Sequence, residues 1–138
     1  IHNAPCPIKI SQEMPEGINA VYRPQEKMIF VRGGLEASDL FRGLSQELAH
    51  AHLDKGDYKR SENAFTAYCA SYMLCSRNNI PKDMFRFDRL PENISTMDAR
   101  SARNELSKIR DVANVISADM AKVLEKNRQP IERRDEAR

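Results

Sequence analysis

The pair Gly33-Gly34 separates two parts of the chain that differ in the spacing of their apolar residues. Three short apolar stretches precede it, and segments containing Pro15-Glu16-Gly17 and Pro24-Gln25-Glu26 separate them. The stretches are Ile8 to Ile10, Val21 to Arg23 and Met28 to Val31. This pattern predicts three strands joined by turns, and we expect them to form a small antiparallel sheet.

After the glycine pair, apolar residues recur at steps of three and four, which is typical of helices. The first expected helix has Ser38 as its N-cap and runs to about Leu53. The second runs from Ser61 through Cys75 to Asn79, and the third from Asp98 to about Lys126. Asp54-Lys55-Gly56-Asp57 ends the first helix, and Pro81 lies just beyond the second. The fold class expected is therefore α+β, with an antiparallel sheet of about three strands followed by three helices.

Two further segments complete the predicted organisation. Residues 82–93 are expected to form an irregular connection fixed by Phe85, Phe87 and Leu90. The last helix carries an apolar stripe that either packs on its own domain or pairs with another chain as a coiled coil: Leu106, Ile109, Ala113, Ile116, Met120 and Val123. We expect a single domain over residues 1–128 and a charged tail or linker over 129–138. Because the chain begins at Ile1, we also expect it to be part of a longer protein.

Charge and cysteine content argue against several classes of protein. Lys and Arg number 22 and Asp and Glu 20, so the net charge of +2 gives no reason to expect a nucleic-acid partner. The three cysteines, Cys6, Cys69 and Cys75, form no C-x-x-C pair, which favours free thiols and a reducing cytoplasm. The most apolar run, Ala64 to Cys75, is too short to cross a membrane.

The segment Gln46-Glu47-Leu48-Ala49-His50 differs in one residue from the zinc-protease signature H-E-x-x-H. In that signature, imidazoles at positions i and i+4 hold zinc while the Glu takes a proton from the metal-bound water. Glu62, near the start of the next helix, is the candidate third ligand; His52 points elsewhere on the helix and cannot share a metal with His50. The alternative is that Gln46, Glu47 and His50 form a solvated helix surface.

The order of elements and several stretches carry a resemblance to a known family. A small sheet, a helix with ELAHAHL, a loop with Arg60 and then SENAFTAYCASYMLC resemble zincin-like metallopeptidase domains of the ImmA/IrrE and ArdC-associated kind. The segments SYMLCSRNNI, FDRLPENI and ELSKIRDVANVISADMAKVLE are similar to metallopeptidase-like parts of multidomain proteins from conjugative mobile elements. The resemblance implies that Glu47 is the general base and that His50 and Glu62 bind zinc, and it places Gln46 where the first histidine ligand should be.

The missing histidine determines the expected function. A neutral carboxamide is a poor zinc ligand, so zinc binding should be weak or absent, and Glu47 would then have no metal-bound water to activate. We therefore expect a catalytically impaired binding module for a protein or peptide partner, or for other domains of its parent chain. The alternatives are an active zinc endopeptidase with a replacement ligand such as His2 and, less favoured by the charge balance, a nucleic-acid-binding module.

Overall fold

The computed structural model describes residues 6–88 and 91–136, except for the side chains of Asn93 and of residues 120–136. Three strands come first: β1 (Ile8–Ser11), β2 (Ala20–Arg23) and β3 (Met28–Arg32). Four helices follow within the described residues: α1 (Ala37–Leu53), α2 (Arg60–Arg77), the single turn α3 (Glu92–Ser95) and α4 (Ala99–Glu136). The α+β class, with a small sheet before three long helices, is confirmed.

The sheet has the order β1-β3-β2 and is mixed, so the prediction of a fully antiparallel sheet is wrong for β1. β2 and β3 form the expected antiparallel hairpin, closed by a turn in which the N–H of Lys27 donates to the carbonyl of Pro24 over 3.3 Å. β1 instead pairs in parallel with the other side of β3. Parallel neighbours need a longer connection than a tight turn, and residues 12–27 between β1 and β3, which include β2, provide it.

The helix termini depart in detail from the sequence-based bounds. α1 begins at Ala37 after Glu36, which makes no side-chain capping bond, so Ser38 is not the N-cap. At the start of α4 the carboxylate of Asp98 accepts a hydrogen bond from the N–H of Ser101 over 2.7 Å, as a capping residue does. The backbone of α4 is helical to Glu136, so the division into a domain ending at residue 128 and a tail lies within this helix and stays a prediction.

α1 packs against β2, β3, α2 and α4. Small side chains let α1 and α2 approach closely: Ala49, Ala67 and Ala70 are fully buried, and the hydroxyls of Ser45 and Ser71 share a hydrogen bond of 2.8 Å. α4 covers the pair with Ile109, Val112, Ala113 and Ile116. Ile109, Ala113 and Ile116 of the predicted apolar stripe therefore pack within the domain, whereas Leu106 is 65% exposed. The side chains of Met120 and Val123 lie outside the described part.

The connection after α2 is irregular up to Asp88, as predicted, and aromatic rings fix its position. The rings of Phe85 and Phe87 contact those of Tyr68 and Tyr72 on α2, with centroids 5.0 to 5.4 Å apart. Leu90, the third residue expected to fix this segment, lies outside the described residues. Among the helices described, none is both long enough and apolar enough to span a membrane.

Candidate functional site around Glu47 and His50

Because α1 is covered on several sides, the residues of the Q-E-x-x-H segment are mostly buried. Glu47 is 3% exposed and His50 is 0% exposed, and Leu48 and Ala49 between them are buried as well. The alternative of a solvated helix surface is therefore wrong for Glu47 and His50. A carboxylate and an imidazole at such depth require polar partners, and the structure supplies them from β2, from the segment between α1 and α2, and from the first residue of α2.

Glu47 is held by three hydrogen bonds. Its Oε1 accepts the backbone N–H of Tyr22 over 2.9 Å. The guanidinium of Arg60 donates from Nη1 to Oε1 over 2.6 Å and from Nη2 to Oε2 over 2.8 Å, which is the bidentate geometry of a strong ion pair. The hydrogen bond to Glu47 is the largest cause that raises the pKa of Arg60 above its ordinary value. Glu47 thus joins β2 to the start of α2.

His50 is held on one side only. Its Nδ1 shares a hydrogen bond with the hydroxyl of Tyr58, and the two rings meet edge to face. Its Nε2 is buried and has no hydrogen-bond partner among the described residues. Burial, assisted by the positive charge of Arg60 and opposed by Glu47, lowers the pKa of His50 to about 4. The imidazole is therefore neutral at neutral pH.

The tyrosines around His50 continue the polar network towards the surface. The ring of Tyr22 packs edge to face on that of Tyr58, and the Tyr22 hydroxyl donates to Asp54 Oδ2 over 2.6 Å. This hydrogen bond lowers the pKa of Asp54. Asp54 Oδ1 also accepts the N–H of Gly56 over 2.8 Å, in the turn that ends α1. The network therefore fixes the loop that positions Tyr58 and Arg60.

Gln46, one turn before His50 on the same side of α1, is half-buried. It lines a cavity of about 200 Å³ together with Tyr68 of α2 and with Met84 and Phe85 of the following connection. Asp39 and Arg42 of α1, which form an ion pair, line the same cavity. The residue at the place of the missing ligand thus faces a small cavity of mixed polarity.

Glu62 does not share the burial of Glu47 and His50. It is exposed in the first turn of α2. No group of three or more His, Cys, Asp or Glu side chains within the described part of the chain is placed to hold a metal ion. The replacement ligand considered for an active enzyme, His2, lies outside the described residues.

These residues do not fit a zinc ion. One feature favours a metal, the unpartnered Nε2 of His50, since that is an atom through which histidines bind zinc. Against it, the described residues supply no set of three ligands, and the neighbouring carboxylate is already paired with a guanidinium. A permanent positive charge beside the single imidazole opposes the approach of a dication.

Sequence reasoning identified Glu47 and His50 but not the residues that bind them. Tyr22, Asp54 and Tyr58 were not recognised as site residues, and Arg60 was noted only as part of the resemblance. A signal was available, because a buried helical Glu requires a cationic or donor partner, and Arg60 stands in the short segment directly after the helix. Tyr22 donates through its backbone, so no side-chain pattern could have indicated it.

A scan against protein-family models and searches of curated proteins and of solved structures found no match to this chain. The zincin-like family therefore stays a prediction from the residues quoted above. The geometry around Glu47, rather than a relative, carries the functional argument.

Proposed function

We propose that this chain is a zincin-like, metallopeptidase-related module that has lost catalysis and acts by binding. Its partner is a protein or peptide, or another domain of a longer parent chain. The observation that carries the proposal is the ion pair between Glu47 and Arg60. In keeping with the resemblance, we place the parent protein on a conjugative mobile element and in the cytoplasm.

The ion pair argues against a role for Glu47 as general base. A general base must reach the proton that it removes, directly or through one water molecule. The Glu47 side chain is 4% exposed, and both of its oxygens accept hydrogen bonds from Arg60. The carboxylate therefore stabilises the fold instead of facing a substrate.

A surface suited to binding lies beside Gln46. We call the side chains of Tyr68, Tyr72, Met84, Phe85 and Phe87 the aromatic patch. Met84 is 64% exposed and Phe87 41% exposed. Aromatic residues and Met are enriched in protein interfaces, and the adjacent cavity of about 200 Å³ could take one apolar side chain of a partner. The balanced charge favours a protein or peptide over a nucleic acid.

The loss of catalysis is tested by metal analysis and proteolysis together. The protein, purified without chelator or added metal, should contain far less than one equivalent of zinc. Any hydrolysis of unfolded protein substrates should be equal in the parent and in Glu47→Gln. One equivalent of zinc in the parent, with proteolysis that Glu47→Gln abolishes, would establish the alternative of an active zinc endopeptidase.

Binding is tested with peptides selected by phage display against the intact chain and then measured by fluorescence anisotropy. Met84→Asp should weaken binding of the selected peptides by about 10-fold or more, the effect expected when a residue that is central to an interface is lost. Leu106→Asp is the matched control, because Leu106 on α4 is 65% exposed and lies outside the aromatic patch. Equal losses in both variants, or no selected peptide, would contradict the assignment of the aromatic patch.

A further inference from the structure

The ion pair at Glu47 suggests a second reason, separate from Gln46, for the proposed loss of zinc binding. In a zincin-like site, the cation beside the carboxylate and the imidazole would be the metal. Here the cation beside Glu47 is the guanidinium of Arg60, bound through both nitrogens. Arginine keeps its charge at all ordinary pH values, so it cannot become neutral by losing a proton when a metal ion approaches, as lysine can.

The position of Arg60 makes its effect extend to His50. Arg60 acts electrostatically on the imidazole of His50 as well as on Glu47. The Nε2 of His50, which has no hydrogen-bond partner among the described residues, would be the atom available to a metal. Any dication at this atom would lie near a permanent positive charge. Because His50 is fully buried while the Arg60 side chain is 47% exposed, solvent screens that repulsion only in part.

We infer that Arg60 takes the electrostatic role of a metal ion at this site and excludes divalent cations independently of Gln46. The guanidinium neutralises the buried carboxylate of Glu47 and links α1 to α2. In a metal site, the ion and its protein ligands would provide both the positive charge and the link. The inference rests on the proposed loss of catalysis and adds its cause. Restoring histidine at position 46 alone is then not sufficient to restore a zinc site.

The test compares zinc binding in Gln46→His with that in Gln46→His combined with Arg60→Gln. Zinc per chain is measured by elemental analysis after dialysis against buffered free zinc, and the His50 ring signals are followed by NMR. Gln46→His alone should bind zinc weakly. The double variant should bind it about 10- to 100-fold more tightly, the range found when contacts next to metal ligands are changed.

Gln46→His combined with Lys59→Gln is the matched control, since it also removes one positive charge, from an exposed neighbour of Arg60 that does not contact Glu47. It should behave like Gln46→His alone. If Arg60→Gln prevents folding by leaving Glu47 unpaired, the triple variant with Glu47→Gln removes that charge while retaining an acceptor for the N–H of Tyr22.

Two results would overturn the inference: zinc affinity in Gln46→His equal to that of the double variant, or no zinc binding in any folded variant that lacks Arg60. Neither result depends on the proposed function. The parent chain could still lack zinc and proteolysis while Gln46→His binds zinc as tightly as the double variant. Conversely, one equivalent of zinc in the parent and proteolysis that requires Glu47 would contradict the proposed function directly.

Discussion

The pair Glu47–Arg60 leads to an unusual expectation: removing one member should destabilise the protein more than removing both charges. In Arg60→Gln, the carboxylate of Glu47 is 4% exposed and keeps one hydrogen-bond donor among the described residues, the N–H of Tyr22. Breaking a buried ion pair in this way costs about 3–5 kcal/mol. The Arg60 side chain is 47% exposed, so water reaches part of the pair, and we expect about 2–3 kcal/mol.

The second substitution should recover part of this loss. In Glu47→Gln combined with Arg60→Gln no charge is buried, and the carboxamide oxygen still accepts the Tyr22 N–H. The double variant should therefore be more stable than Arg60→Gln by about 1–2 kcal/mol, because replacing a whole buried pair is often close to neutral. Glu47→Gln alone leaves the partly exposed Arg60 charge accessible to water and should be the milder single substitution.

Urea unfolding at pH 7, followed by far-UV circular dichroism, gives the free energies of unfolding for the parent and the three variants. Lys59→Gln is the control for loss of one surface charge and should change the stability by no more than about 0.5 kcal/mol. If the double variant loses the sum of the two single losses, Glu47 and Arg60 do not interact energetically. Such additivity would contradict a direct ion pair between Glu47 and Arg60.

Three other expectations follow from the same region. The pKa of His50 is about 4 in the folded chain and 6.5 in the unfolded chain, so the unfolded state binds more protons between these two pH values. The free energy of unfolding should therefore fall by about 3 kcal/mol when the pH is lowered from 6.5 to 4. Urea titrations at several pH values should show a smaller fall in His50→Gln. Tyr58→Phe removes the hydroxyl that pairs with His50 Nδ1 and should lower stability by about 1–3 kcal/mol in thermal unfolding, whereas an unchanged melting temperature would exclude this hydrogen bond. Gly43→Ala should leave the stability of the protein unchanged or raise it by up to about 1 kcal/mol, because the added Cβ would lie at an ordinary contact distance of 3.4 Å from Ala20. Gly43→Leu should destabilise the protein, because the larger side chain does not fit against β2. Equal melting temperatures for the two variants would disprove this close contact.

Local patterns predicted the elements of this fold well. The strands and long helices follow from apolar spacing and from turn residues such as Pro24 and Gly56, which act within a few positions. The parallel pairing of β1 depends on a contact with β3 some twenty residues away along the chain. No local signal specifies that contact, since the same strand residues also fit an antiparallel partner.

The candidate site was less predictable than the fold because burial of α1 is a tertiary property. On a helical projection Glu47 and His50 form a polar side, which normally faces solvent. In the structure α1 is surrounded by β2, α2 and α4, so that polar side became internal and acquired Tyr58 and Arg60 as partners. Periodicity identifies which residues share a side of a helix but not how many neighbours cover the helix.

The contact of Glu47 with the backbone of Tyr22 also determines how the sheet can meet other chains. A strand edge with free N–H groups is a template on which another extended segment can add, in recognition or in aggregation. α1 lies along the outer side of β2, and the carboxylate of Glu47 takes the N–H of Tyr22 that would start such pairing. Strand addition to the described sheet is therefore directed to β1, where the exposed Ile10 would meet the incoming segment.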